Sequence, residues 1–167
     1  MKLFTRQDIA APIEAVHAAI TDFDTIERAI LRRGGSVTRE DPPDGPGAGS
    51  LWQCRITYRG RERRIETRLA ALDPHERVEV RSAVAGIDAF LQLDLARLSP
   101  RRTRVRASLE LRPTTVPGRL YLQSLRLAKG RIEARFRDQA AKLAKRIGAG
   151  GGADRGRRGQ ARPGSAG

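Results

Sequence analysis

One cysteine, two histidines and seven aromatic residues are spread over 167 positions, and each scarcity excludes something. A lone thiol, Cys54, cannot form an internal disulfide, which fits a reducing cytoplasm. Without a Cys-x-x-Cys pair or grouped histidines there is no metal-ligand spacing, so neither metal nor cofactor is expected. No apolar run approaches the roughly 18 residues that a membrane span requires. Arg6 and Asp8 interrupt any apolar stretch near the N-terminus that could act as a signal peptide, and the expectation is a soluble cytoplasmic chain. Lysine is scarce too, four against 29 arginines. With abundant Ala and Gly, that bias is what a GC-rich genome produces whatever the function. The net charge of +14 is therefore not by itself a nucleic-acid signature.

What is present is periodic. Hydrophobic residues make up 39% of the chain, enough for one domain with a sizeable core. Lys2 to Ala10 alternates around Leu3, Thr5, Gln7 and Ile9 as a strand, then Pro12 opens an amphipathic helix that buries Ile13, Val16, Ala19 and Ile20. Asp22 caps a second short helix containing Phe23, Ile26, Ile30 and Leu31, which ends at Arg32-Arg33-Gly34-Gly35. Ser36 to Glu40 reads as a short strand, and Asp41 to Gly49 is a Pro/Gly loop. From Ser50 the period is two. Trp52, Cys54, Ile56 and Tyr58 share one face; Arg59-Gly60 turns; Ile65, Thr67 and Leu69 return. Three further strands follow, carrying Val78 to Val84, Ala89 to Leu95 and Val105 to Leu111, joined by hairpin-length turns that imply an antiparallel sheet. Thr115-Val116-Pro117 starts a helix of about 30 residues, roughly 45 Å, long enough to cross the sheet, with Gly130 near its middle, where close packing against the sheet or a slight kink would account for it. Leu122, Leu125, Ile132, Phe136, Leu143 and Ile147 lie on one side of it. The expected domain is residues 1–147, and the Gly/Arg-rich tail 148–167 is expected to be disordered.

This order of elements is that of the helix-grip fold, an α+β fold whose curved antiparallel sheet of six to seven strands wraps a long C-terminal helix, with two short helices after the first strand. Within it, Ile9-Ala10-Ala11-Pro12-Ile13-Glu14-Ala15-Val16 followed by Ile20-Thr21-Asp22-Phe23 resembles the START-like superfamily. That superfamily includes pollen-allergen-like proteins, polyketide cyclases and dehydrases, and coenzyme Q-binding proteins. Many members carry a large aromatic where His17 stands and a tryptophan soon after the Asp-Phe pair; neither is found here. The resemblance implies an apolar cavity between sheet and long helix that takes a lipid, quinone, polyketide or similar small molecule.

The candidate lining is Trp52, Ile56 and Tyr58, with Leu91, Leu93, Leu125, Ile132 and Phe136 opposite. Core filling is the plain alternative for any one of them. Trp52 and Tyr58 each carry a polar group able to orient a ligand. No nucleophile–base set is visible, so no catalytic residue is assigned. His17 and His75 have no partner nearby in sequence; Asp22, Asp24 and Glu27 read as capping residues; Cys54 reads as a core thiol. The main expectation is binding, or transport, of a hydrophobic or amphipathic small molecule. The alternative is a cyclase or dehydratase using the same cavity, with Tyr58, Gln92, Asp94 and His17 its only titratable or polar candidates. A third reading is weak contact with an anionic membrane or nucleic-acid surface through the basic body. The outward face, with Arg55, Arg59, Arg64, Arg68, Arg77, Arg81, Arg104 and Arg106 interleaved with Glu62, Glu66, Glu76, Glu79 and Glu110, is expected to be salt-bridged and free of aromatics. That argues against sequence-specific nucleic-acid binding. The sequence leaves the oligomeric state open.

Overall fold

In the computed structural model, which describes residues 1–157, seven strands form one antiparallel sheet. The elements are β1 (Lys2–Ile9), α1 (Ile13–Ile20), α2 (Phe23–Arg32), β2 (Ser36–Glu40), β3 (Leu51–Tyr58), β4 (Arg61–Asp73), β5 (Arg77–Val84), β6 (Ile87–Ser99), β7 (Arg102–Pro113), α3 (Val116–Leu127) and α4 (Lys129–Arg157). The order across the sheet is β1-β7-β6-β5-β4-β3-β2. Strands β2 to β7 are therefore a meander, and the first strand closes onto the last, from Lys2↔Glu110 to Ile9↔Thr103. Two hairpins turn on residue pairs with positive φ, Arg59-Gly60 at 51° and 72° and Ala85-Gly86 at 51° and 73°. Such pairs match the twist of the flanking strands. A bulge between Leu69 and Ala71 bends β4.

The corner after β1 is fixed from the far end of the chain. Ala11 is buried, and its carbonyl accepts a 2.9 Å hydrogen bond from the Thr103 hydroxyl, itself fully buried. Pro12 stands just before α1 with extended dihedrals, so its missing N–H is no loss. Asp22 caps α2 as expected, accepting from the Thr25 N–H at 3.1 Å and the Thr25 hydroxyl at 2.7 Å. The Pro/Gly loop is tied down by Ser50, whose hydroxyl donates to Asp41 at 2.7 Å, while the Gly49 N–H donates to the Leu69 carbonyl at 2.7 Å and the Leu69 N–H to the Ser50 carbonyl at 2.9 Å.

Two packed clusters result. One joins Ile9, Ala11, Ile13, Val16, Leu95, Val105 and Ile147; the other joins Trp52, Cys54, Leu69 and Val78 and is covered by Phe23 and Ile30 of α2. Ile20 and Leu93 touch both.

The C-terminal helix departs from expectation. It is two helices, broken at Ala128 (φ −103°, ψ 17°) rather than kinked at Gly130. Its second part, α4, packs mainly along β1 and also meets α1 and α3. Ala140, Ala144 and Gly148 lie on its inner side, and small residues let it approach the β1 corner closely. The helix also continues past Ile147 to Arg157, into the segment expected to be disordered. The rest of that segment, 158–167, lies outside the described residues.

Thr103→Val keeps the shape of the side chain but strands the Ala11 carbonyl. We expect a loss of about 1–3 kcal/mol in urea unfolding with an unchanged m-value. Thr38→Val, on an exposed strand position, should stay within about 0.5 kcal/mol.

Candidate functional site

The inner face of the sheet is well covered at its edges and only partly covered at its centre. Register places Leu3, Leu109, Leu91, Val80 and Leu69 in one row across five strands. Leu3 and Leu69, at the ends of that row, are 3% and 0% exposed, whereas Leu109, Leu91 and Val80 between them are only half-buried. The next row, Leu111, Ala89, Ser82, Thr67 and Trp52, behaves alike, with only Trp52 buried. The cause is the helix placement, since α4 sits over β1 and α2 over the β2 side. The floor between them is apolar, with one polar pair, Thr67 and Ser82, whose hydroxyls are 2.8 Å apart.

The eight residues expected to line a cavity separate into three groups. Ile56, Leu91, Leu125, Ile132 and Phe136 are half-buried and belong to neither packed cluster. Trp52 and Leu93 are cluster residues. Tyr58 is 45% exposed near the tip of the β3–β4 hairpin, with the Arg59 guanidinium 5.4 Å from its ring centroid. The polar group of Trp52 is already engaged, its indole N–H donating to Glu27 Oε1 at 2.8 Å. Glu27 also accepts from Arg39 at 2.8 Å, and Arg39 bonds Asp24 at 3.0 Å and Asp41 at 3.2 Å. Asp24 and Glu27 are thus ion-pair partners holding α2 to β2, and only Asp22 is a cap. Burial, and then the charge of Glu27, push the Cys54 thiol above its ordinary range, which leaves it unreactive.

Strand alternation adds a residue that the sequence reading passed over. Arg63 lies opposite Ile56 and in phase with Ile65, Thr67 and Leu69, so it stands on the inner face. It is half-buried and makes no ion pair among the described residues. Its phase with Ile65 was the available signal.

The histidines, expected to stand apart, meet. His17 of α1 and His75 of the β4–β5 turn pack edge to face with ring centroids 5.2 Å apart. His17 Nε2 is buried without a partner among the described residues. Burial first, and the neighbouring His75 second, lower its pKa. Among the described residues no group of three or more His, Cys, Asp or Glu could hold a metal ion.

The outer face also differs from expectation. Several ion pairs form, including Arg77–Asp94 at 2.8 Å and Arg104–Asp8 at 2.8 Å. Three arginine pairs, however, stand directly opposed: Arg6↔Arg106, Arg55↔Arg64 and Arg68↔Arg81. Aromatics are present as well, since Phe4 is 63% exposed there and Phe90 lies between Arg81 and Arg112, 5.6 and 5.1 Å from their guanidinium carbons. Two open depressions of about 480 and 290 Å³ lie on this face, lined largely by polar and charged residues such as Arg55, Arg64 and Glu66 in the first and Glu79, Arg81 and Glu110 in the second. Their mixed charges suit water better than an apolar molecule. No described helix is long and apolar enough to cross a membrane.

Comparison with known proteins agrees with this fold. Residues 1–148 match the model of the family described as polyketide cyclase / dehydrase and lipid transport. No curated protein matches the sequence. Among solved structures, TTHA0849 of Thermus thermophilus superposes with a TM-score of 0.60 at 17% identity, over 90% of this chain and 99% of that one. The Zhui aromatase/cyclase of a Streptomyces species gives 0.55 at 14% identity, over 70% of each chain. A START superfamily protein of Mycobacterium smegmatis gives 0.53 at 14% identity, over 80% of this chain and 95% of that one. At these identities the likeness is one of fold.

His17 yields a testable pH dependence. Because its pKa in the fold lies below the ordinary 6.5, the unfolded chain binds more protons than the fold in the interval between the two values. Its contribution to stability is complete above pH 6.5 and is lost as pH falls below it. Urea midpoints of the wild type should drop over the first unit below pH 6.5, before the carboxylates titrate, and His17→Leu should flatten that drop.

Proposed function

This chain belongs to the START-like superfamily, in the family described as polyketide cyclase / dehydrase and lipid transport, and from that premise we propose that it binds one apolar or amphipathic small molecule on the inner face of its sheet. The observation that carries the reading is the partly covered centre of that face. Ile56, Leu91, Leu125, Ile132 and Phe136 are apolar, half-buried and outside both packed clusters. Leaving such side chains partly wet forgoes a share of the roughly 1.5–3 kcal/mol that full burial of each supplies. A ligand filling the space would recover it.

The inner face also constrains the ligand's polar end. Thr67 and Ser82 offer hydroxyls in the floor, and Arg63 offers a guanidinium opposite Ile56. A carboxylate or phosphate head group on a hydrocarbon or fused-ring body fits that distribution, and Arg63 is the group we assign to hold it. Residues 1–147 form the binding unit. Holding and carrying the molecule needs nothing further from the residues on this face. His17 and His75 pair with each other at the α1 end and are not assigned a part in binding.

The test is displacement of a neutral naphthylamine dye whose emission rises in apolar surroundings. The wild type should bind one dye per chain and release it to long-chain fatty acids. Leu91→Arg puts a charge into the floor and should weaken dye binding at least about tenfold. Arg63→Gln should leave dye binding unchanged while weakening fatty acids relative to the matching alcohols. Dye binding that Leu91→Arg leaves intact would show the floor not to be the site.

A further inference from the structure

Helix α3 is apolar on two sides. Its inner side buries Gly118 and Leu122, with Leu125 half-buried beside them. Its N-terminus is seated on the β5–β6 turn, where Gly86 and Gly118 approach so closely that a Cβ on either would collide with Thr115 or with the Gly86 carbonyl. The opposite side points away from the protein. Val116, Leu120 and Leu127 are 71%, 63% and 93% exposed, and at 3.6 residues per turn they fall within about 40° of one another. Tyr121, 45% exposed, stands about 100° from Leu120, between the stripe and the inner side.

Isolated exposed leucines need no explanation, but a solvent-facing stripe on a helix that is already anchored by its other side does. Its surroundings indicate the partner's chemistry. Val116–Leu127 contains no acidic residue, and Arg119 and Arg126 flank the stripe on one side. Lys129 and Arg131 follow in the next turn. Lys2 belongs to the same corner: the Met1 ammonium, whose pKa is lowered first by burial, is also depressed by Arg126, Lys2 and Lys129. Glu110 pairs with Arg112 at 3.0 Å and Lys2 at 3.9 Å, and Glu133 with Lys129 at 3.5 Å, while Arg119, Arg126 and Arg131 make no ion pair among the described residues.

We propose that α3 docks the protein on an anionic lipid surface, with Val116, Leu120 and Leu127 entering the headgroup–acyl boundary and Arg119 and Arg126 meeting lipid phosphates. The helix lies flat in the interface and does not cross the membrane. A protein partner would bring carboxylates for the arginines but no reason for an apolar stripe flanked by cations along one side only. An anionic bilayer supplies both layers at the required depths. The docking does not depend on which molecule the inner face holds.

Co-sedimentation of the full chain with vesicles tests it, using phosphatidylcholine alone and phosphatidylcholine with one third phosphatidylglycerol. The wild type should pellet with the anionic vesicles and stay largely in solution with the neutral ones. Leu120→Ser/Leu127→Ser, which keeps the charge and alters only exposed positions, should lower the apparent affinity at least about tenfold. Arg119→Gln/Arg126→Gln should also weaken it and flatten its salt dependence. Arg55→Gln/Arg68→Gln, on the outer face of the sheet, should bind as the wild type does. Unchanged binding by the leucine variant, or its loss in the outer-face variant, would assign the contact to general basicity and overturn the proposal. So would a wild-type dimer that the leucine variant converts to a monomer and that ignores vesicles, because the stripe would then belong to a second copy.

Discussion

The pairing of β1 with β7, locked where the buried Thr103 hydroxyl holds the Ala11 carbonyl, joins the two ends of the fold and sets the position of everything between them. Because the first strand lies beside the last, the Ala-Ala-Pro corner sends α1 back over one end of the sheet. The same corner receives Ala144, Ile147 and Gly148 of α4. Without that pairing β7 would be the edge strand, and α4, which packs on β1, would have no seat.

From that seat follows the incomplete cover of the inner face. The α4 helix occupies the β1 side, and α2, held by the Glu27–Arg39 pair and the Trp52 indole, occupies the β2 side. The rows between, with Leu91, Val80, Leu109 and Ala89, are left only half-buried. Arg39 and Glu27 are each only about a fifth exposed (22% and 21% by side chain), and Asp24, Asp41 and the Trp52 indole tie the pair into one network, so it is better shielded than the surface ion pairs. The open floor is thus a structural consequence of two well-held helices rather than of a loosely built core.

Much of this architecture was legible in the sequence, for local physical reasons. Period-two patterning identified the strands, Arg59-Gly60 and the Pro/Gly loop marked turns that few other residues can make, and Asp22 announced a cap. What was missed depends on contacts between distant segments. Nothing at Ala128 signals a helix break, since alanine is the best helix former and Gly130 nearby is the more obvious suspect. Asp24 and Glu27 look like capping residues until β2 brings Arg39 alongside them. His17 and His75 meet only because the β4–β5 turn folds against α1. Arg63 was readable from its phase with Ile65, but it is one of 29 arginines, and composition hid it. Phe4 and Phe90 were assigned to no face at all, although alternation from Leu3 and Leu91 puts both outside.

The central claim is that the middle of the inner face is a ligand site and its two ends are core. Methyl-resolved NMR of the full chain during titration with decanol reads this residue by residue. The account predicts saturable shifts at Ile56, Leu91, Leu125 and Ile132, with Ile13 and Leu95 of the packed cluster unmoved. Shifts confined to exposed methyls such as Leu120 and Leu127, or none at all, would contradict it.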